Sequence, residues 1–155
     1  MFEPVIRSRR LIIAAILGAV GAPALAAAKA VDIEVWKGPG CGCCEDWVKV
    51  LRTSGFQVRS FESGNTDARV ASGMPARYGS CHTAKVGGYA LEGHVPVREI
   101  RRLLKERPVA VGLAVPAMPR GSPGMDGPEH GGQRDPFEVL LVQRDGSARV
   151  YQSYL

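Results

Sequence analysis

Three of the chain's four cysteines, Cys41, Cys43 and Cys44, stand within four positions in the stretch WKGPGCGCCEDW, residues 36–47. A disulfide uses two sulfurs and a catalytic thiol one, so three together need another explanation. Cys41 and Cys44 have C-x-x-C spacing with a third cysteine inserted. At a strand-to-helix turn, such sulfurs meet the free N–H groups and positive end of the helix. Both stabilise thiolates and bring thiol pKa values to about 3.5–7.5. Thiolates are nucleophiles and also soft metal ligands, and three readings follow. The first is a thiol–disulfide oxidoreductase. The second is structural, with disulfides Cys41–Cys44 and Cys43–Cys81. A disulfide stabilises most when it closes a long loop, and Cys41–Cys44 closes almost nothing. The third is a metal site. Side chains of adjacent cysteines diverge, which suits sulfurs that each bridge two ions better than chelation of one tetrahedral ion. Thiolate and thioether ligands select Cu(I) among the common metals. Zinc stays open, although C-x-C-C departs from the usual C-x₂₋₄-C pairs. So does an iron–sulfur cluster, although the spacing matches no standard pattern.

Four further residues are candidate accessory ligands, each with a plainer reading beside it. His82 adjoins Cys81, but one step along a strand points to the opposite face, which makes it a core or surface histidine. His94, in Gly93-His94-Val95-Pro96, either faces the cysteines or caps and packs. Met118 and Met125 could cover the site as thioether ligands or a hydrophobic lid; the alternative is ordinary packing. Trp36 and Trp47 read as core residues flanking the cysteine loop, and Met74-Pro75 as a turn.

The elements that must position these residues are legible in outline. Val31–Trp36 alternates apolar and polar residues, a half-buried strand. Lys37-Gly38-Pro39-Gly40 is a turn by composition. From Cys44 to Ser54, Trp47, Val48 and Leu51 fall at helical spacing, with Gly55 as the stop. A second strand covers Phe56–Phe61, and a short helix Thr66–Ser72. His82–Val86, the Gly87-Gly88 turn and Tyr89–Glu92 read as a hairpin. Pro96–Glu106 reads as a helix burying Val97, Ile100, Leu103 and Leu104. The order is that of an α/β, thioredoxin-like domain whose cysteine loop opens the first helix. A C-terminal β-hairpin, Glu138–Val142 with Ala148–Tyr151, is added to that core. Between lies a long loop, 112–136, with five prolines, six glycines and no periodicity; a loop of that length is either functional or disordered. Thioredoxin-type enzymes carry a cis-proline before the third strand. Here that place reads Ser80-Cys81-His82-Thr83, which weakens the oxidoreductase reading and brings a fourth sulfur toward the other three.

The ends and the composition set the compartment. Arg7, Arg9 and Arg10, the apolar run Leu11–Val20 and the small-x-small site Ala24-Leu25-Ala26 form an export signal, 1–26. The run is too short to span a bilayer, which takes about 20 apolar residues. Ser8–Ile13 also resembles a twin-arginine signal, so a general secretory and a twin-arginine route both fit. The expected mature chain, 27–155, is a single domain with no membrane segment. Removing the signal's three arginines and one glutamate lowers the net charge from +5 to +3. Arg98, Arg101, Arg102, Lys105 and Arg107 sit on one short helix with no aromatic interleaving. They read as a solvated face and exclude a nucleic-acid partner. In an oxidising compartment, four cysteines first suggest disulfides.

Three blocks, VWKGPGCGCCEDW, SCHTAKVGGYALEGHVPVREIRRLLKERP and GLAVPAMPRGSPGM, resemble the CopG-like family of bacterial copper-resistance proteins. The resemblance extends over nearly all of 31–155. It implies a periplasmic, thioredoxin-fold protein that binds several copper ions through the three-cysteine loop and one distal cysteine. Here these are Cys41, Cys43, Cys44 and Cys81. With copper as cofactor come a role in copper resistance, Cu(I)/Cu(II) interconversion, and other periplasmic copper-handling proteins as partners.

Overall fold

The computed structural model describes residues 30–155; the expected export signal, 1–26, lies outside the described residues. The period-2 pattern at the start produces β1 (Asp32–Lys37), which turns Ile33, Val35 and Lys37 inward. In chain order follow α1 (Gly42–Thr53), β2 (Gln57–Phe61), α2 (Thr66–Ala71), a 3₁₀ turn (Ala76–Tyr78), β3 (His82–Val86), β4 (Tyr89–Glu92) and α3 (Val97–Glu106). The chain ends with β5 (Gly112–Ala114), a second 3₁₀ turn (Pro128–His130), β6 (Phe137–Val142) and β7 (Ala148–Tyr154).

All seven strands join one sheet in the order β2-β1-β3-β4-β5-β6-β7. β1 runs parallel to β2 and antiparallel to β3, with Val35 opposite Ala84 and Lys37 opposite His82. β3 and β4 are antiparallel, with Thr83 opposite Glu92. β4 runs parallel to β5, and β5, β6 and β7 are antiparallel neighbours. The main core joins the inward sheet residues Ile33, Val35, Ala84, Val86, Leu91, Leu113, Val139 and Leu141 to Trp47, Val48 and Leu51 of α1 and to Ile100 and Leu103 of α3. Burying each Val, Leu or Ile among them is worth about 1.5–3 kcal/mol over exposure, so α1, and the cysteines at its start, are held by its apolar stripe. A smaller cluster of Met74, Ala90, Ala114 and Val142 forms separately. Among the described residues no helix is long and apolar enough to cross a membrane.

Several expectations are corrected. The stretch 112–136 is not one unbroken loop, because its first three residues are β5. Three residues among glycines and prolines are too few to show a period. Gly112 is needed there: a Cβ would lie 1.8 Å from the Ala90 carbonyl oxygen on the paired strand. α1 begins at Gly42, two residues earlier than its apolar spacing suggests, so Cys43 and Cys44 belong to its first turn. Pro96 is the N-cap of α3; Glu99 joins Ile100 and Leu103 in its buried face, while Val97 and Leu104 are only partly covered. Lys37, read as a turn residue, ends β1 with its side chain fully buried. Trp36 is half-buried and stacks on Phe61, whereas Trp47 is in the core. Met74 is a core residue as well as a loop residue.

Candidate metal centre

Cys41 is the N-cap of α1, with extended backbone and no capping bond from its side chain. Its carbonyl accepts the Glu45 N–H at 3.1 Å, so the turn is closed by backbone alone and the sulfur is spared. Cys44 is one of the four inward positions, with Trp47, Val48 and Leu51, and is fully buried. Cys41 and Cys44 are joined by a disulfide, with Cα atoms 5.3 Å apart. Cys43 and Cys81 are free and half-buried, so the Cys43–Cys81 bond of the structural reading is not formed. The Cys43 sulfur lies 3.7 Å from that of Cys41, and the Cys44 sulfur 3.8 Å from the Cys81 carbonyl oxygen. All four sulfurs fall within 4.8 Å of one another.

A second group shares Cys81. Its sulfur lies 3.3 Å from His82 Nδ1 and 3.1 Å from His94 Nε2, and the three side chains again fall within 4.8 Å. The strand alternation that sends His82 to the opposite face does not apply, because β3 starts at His82 and Cys81 precedes it. Both rings are fully buried. His82 packs on Trp47 at 4.3 Å between centroids and meets His94 edge-on at 5.0 Å. Trp47 is fixed in turn by its indole N–H donating to the Val95 carbonyl at 2.9 Å. His94 Nδ1 lies 2.8 Å from the Pro123 carbonyl. A carbonyl only accepts, so Nδ1 carries the proton and Nε2 offers its lone pair toward Cys81. The Nε2 atom of His82 is buried without a hydrogen-bond partner.

Burial sets the protonation of the metal-free site. It pushes the Cys81 thiol up to about 12, with the nearby Cys43 adding to the rise. It also lowers His82 to about 3, helped by His94, and lowers His94 below its ordinary value. Near neutral pH the site therefore holds a neutral thiol and two neutral imidazoles. Beside it, the buried Lys37 ammonium bonds Glu45 at 2.5 Å and Glu62 at 2.8 Å, and these partners, Glu45 first, hold its pKa above the ordinary lysine value.

The long loop reaches the site through its backbone. Gly124 fits against the start of α1, where a Cβ would lie 2.6 Å from the Trp47 nitrogen and 2.7 Å from the Cys43 carbonyl oxygen. Pro123 accepts from His94, and the Ala117 carbonyl accepts the Ser80 hydroxyl at 2.5 Å. Met125 follows Gly124 in a turn closed by its own backbone bonds to Gly121 and Ser122, and is half-buried. Met118 follows Ala117 and is 47% exposed. Three residues that shape this region carry no motif: Lys37, Glu92 and Arg69. Their only sequence signal is a charge at an inward position of a strand or helix.

The donor set suits a soft ion. Four sulfurs converge, and one of them, that of Cys81, also meets two imidazole nitrogens, with no carboxylate in either group; thiolate and imidazole donors fit copper and zinc rather than calcium or magnesium. A family model described as a protein of unknown function, DUF411, matches residues 78–125, which takes in Cys81, His82, His94, Met118 and Met125. No curated protein matches the chain. Two solved structures, described as copper resistance protein CopG forms 2 and 1, are similar to it. Form 2 is 40% identical with a TM-score of 0.75, covering 82% of this chain and 100% of its own. Form 1 is 40% identical with a TM-score of 0.74, covering 81% and 98%.

Proposed function

The chain belongs to the family of the copper resistance protein CopG, and from that premise we propose that it is an exported copper-binding protein of copper resistance. Cys41, Cys43, Cys44 and Cys81 would hold several Cu(I) ions as shared thiolate ligands. The observation that carries this reading is the gathering of four sulfurs within 4.8 Å at a helix N-terminus. His94, with a bare Nε2, and His82 add nitrogen donors at the Cys81 side, and Met118 and Met125 lie in the loop that closes over it. When bound, the copper would supply a one-electron couple, Cu(I)/Cu(II), and the buried Cys44, His82 and His94 would line its inner side. The frame is thioredoxin-like: β1 and β2 parallel, β3 and β4 antiparallel, in the order β2-β1-β3-β4, fit such a core. The export signal 1–26, the single mature domain 27–155, a periplasmic location and copper-handling partners there complete the proposal.

One observation favours a second reading. The Cys41–Cys44 disulfide at C-x-x-C spacing is what a thiol–disulfide oxidoreductase presents. Against it stands Cys81 in the place of the substrate-docking proline.

The test uses the mature chain, fully reduced under anaerobic conditions, loaded with Cu(I), desalted and counted by metal analysis. Several ions per chain are expected, with fewer in Cys81→Ser, because a bridging sulfur serves more than one ion. No retained copper together with rapid turnover of a small-molecule disulfide overturns the proposal in favour of the oxidoreductase.

A further inference from the structure

We infer, on the reading that Cys81 is a copper ligand, that the buried Glu92–Arg69 ion pair is a positioning device. It fixes the Ser80–Cys81 backbone so that the fourth sulfur meets the other three. Ladder pairing of β3 starts only at His82, so Ser80 and Cys81 have no strand partner to hold them. Glu92 supplies what the ladder does not. Its side chain, at the end of β4, is fully buried, and that of Arg69, from α2, is 16% exposed. Glu92 Oε1 accepts the Ser80 N–H at 2.7 Å and the Arg69 Nε–H at 3.0 Å, with Arg69 Nη2 at 2.8 Å. Glu92 Oε2 accepts the Thr83 hydroxyl at 2.6 Å. Arg69 Nη2 also donates to the Ser80 carbonyl at 2.8 Å, and Asn65 Nδ2 donates to the same oxygen at 3.1 Å.

One ion pair thus holds both backbone groups of the residue before Cys81, from two different elements. The fit is close: a Cβ on Gly79 would lie 3.1 Å from the guanidinium carbon. Stability alone does not explain such a pair, because well-packed apolar residues in its place often serve as well or better. What it adds is a direction, since a planar guanidinium whose Nε and Nη2 both meet one carboxylate oxygen, while Nη2 also meets the Ser80 carbonyl, fixes orientation as well as distance. Neither Glu92 nor Arg69 hydrogen-bonds a sulfur, so both act through the backbone of Ser80.

The experiment uses the reduced mature chain and two variants, Glu92→Gln and Arg69→Lys. Cu(I) affinity is read by competition with a chromophoric Cu(I) chelator, fold by thermal midpoint, and Cys81 by its alkylation rate in metal-free protein, followed by mass spectrometry. Glu92→Gln is expected to weaken Cu(I) affinity by about 10–100-fold, the usual cost of losing an outer-shell partner. It is also expected to change the alkylation rate of Cys81 while leaving that of Cys43 alone. On a Cys81→Ser background it is expected to cause no further loss of copper, a pattern that general destabilisation does not produce. Parent-like affinity, or an equal loss on the Cys81→Ser background, overturns the inference. If Glu92→Gln does not fold, Arg69→Lys carries the same comparison, because it keeps the charge and loses the second arm to Ser80. If the parent chain takes up no Cu(I), the copper reading itself fails. The positioning role is then judged in metal-free protein, where an unchanged Cys81 alkylation rate in both variants overturns it.

Discussion

His82 shows what a single buried side chain does to the metal-free protein. Its ring lies against Trp47, and burial, then the neighbouring His94, lowers its pKa from 6.5 to about 3. Between those two values the unfolded chain takes up a proton that the folded chain refuses. Stability therefore falls as pH drops below about 6.5, by up to about 1.4 kcal/mol per pH unit, and levels off near pH 3. Between pH 7 and pH 5 the loss from this one group is about 2 kcal/mol. His82→Gln removes it, although the variant starts from a lower stability. Denaturant titrations at both pH values check this: a pH dependence as steep in His82→Gln as in the parent means that His82 is not held neutral. His94, also lowered by burial, acts in the same direction.

Among the elements, the loop tip and the start of α1 are the closest fit. Gly124 has φ +81°, and its missing Cβ is what lets the Cys43 carbonyl and the Trp47 nitrogen approach. Gly124→Val should push the tip off the helix. We expect a loss of about 1–3 kcal/mol, faster trypsin cleavage at Arg120 and Arg134, and faster alkylation of Cys43. Parent-like cleavage and alkylation would show that the tip does not cover the site. Sequence patterns reached some of these elements and not others, for physical reasons. β3 and β4 were legible to the residue, because the two-residue Gly87-Gly88 turn between two short runs fixes one register. α1 was legible from Cys44 onward, through Trp47, Val48 and Leu51, but not at Gly42 and Cys43, which lie off the apolar stripe. The four cysteines were legible as a group. Glu92 and Arg69 were not, because 23 positions separate them and a charge in a strand reads as outward until its partner is known. β5 was hidden by its shortness.

For the whole molecule, the oxidation state of the cysteines and the capacity for copper are one question. The disulfide leaves two of the four sulfurs, those of Cys43 and Cys81, as thiols. A disulfide sulfur bears no negative charge and is a poor ligand beside a thiolate, the form that binds metal. The four-sulfur site thus forms only after Cys41–Cys44 gains two electrons and two protons, for which a dithiol is a suitable donor. On the proposed reading Cu(I) would replace the protons on the sulfurs, so loading should release acid. Two preparations of the mature chain test this, one freshly oxidised and one reduced with a dithiol and desalted anaerobically. Thiol titration should find two thiols in the first and four in the second. Cu(I) retention after desalting should be markedly higher in the reduced preparation, and treating the oxidised one with the dithiol should restore it. Cys41→Ser in its reduced form should fall below the reduced parent, because it lacks one of the four proposed sulfur ligands whatever its redox history. Equal retention by the oxidised and reduced parent would remove Cys41 and Cys44 from the ligand set and leave Cys43, Cys81 and the two histidines to hold whatever copper the chain carries.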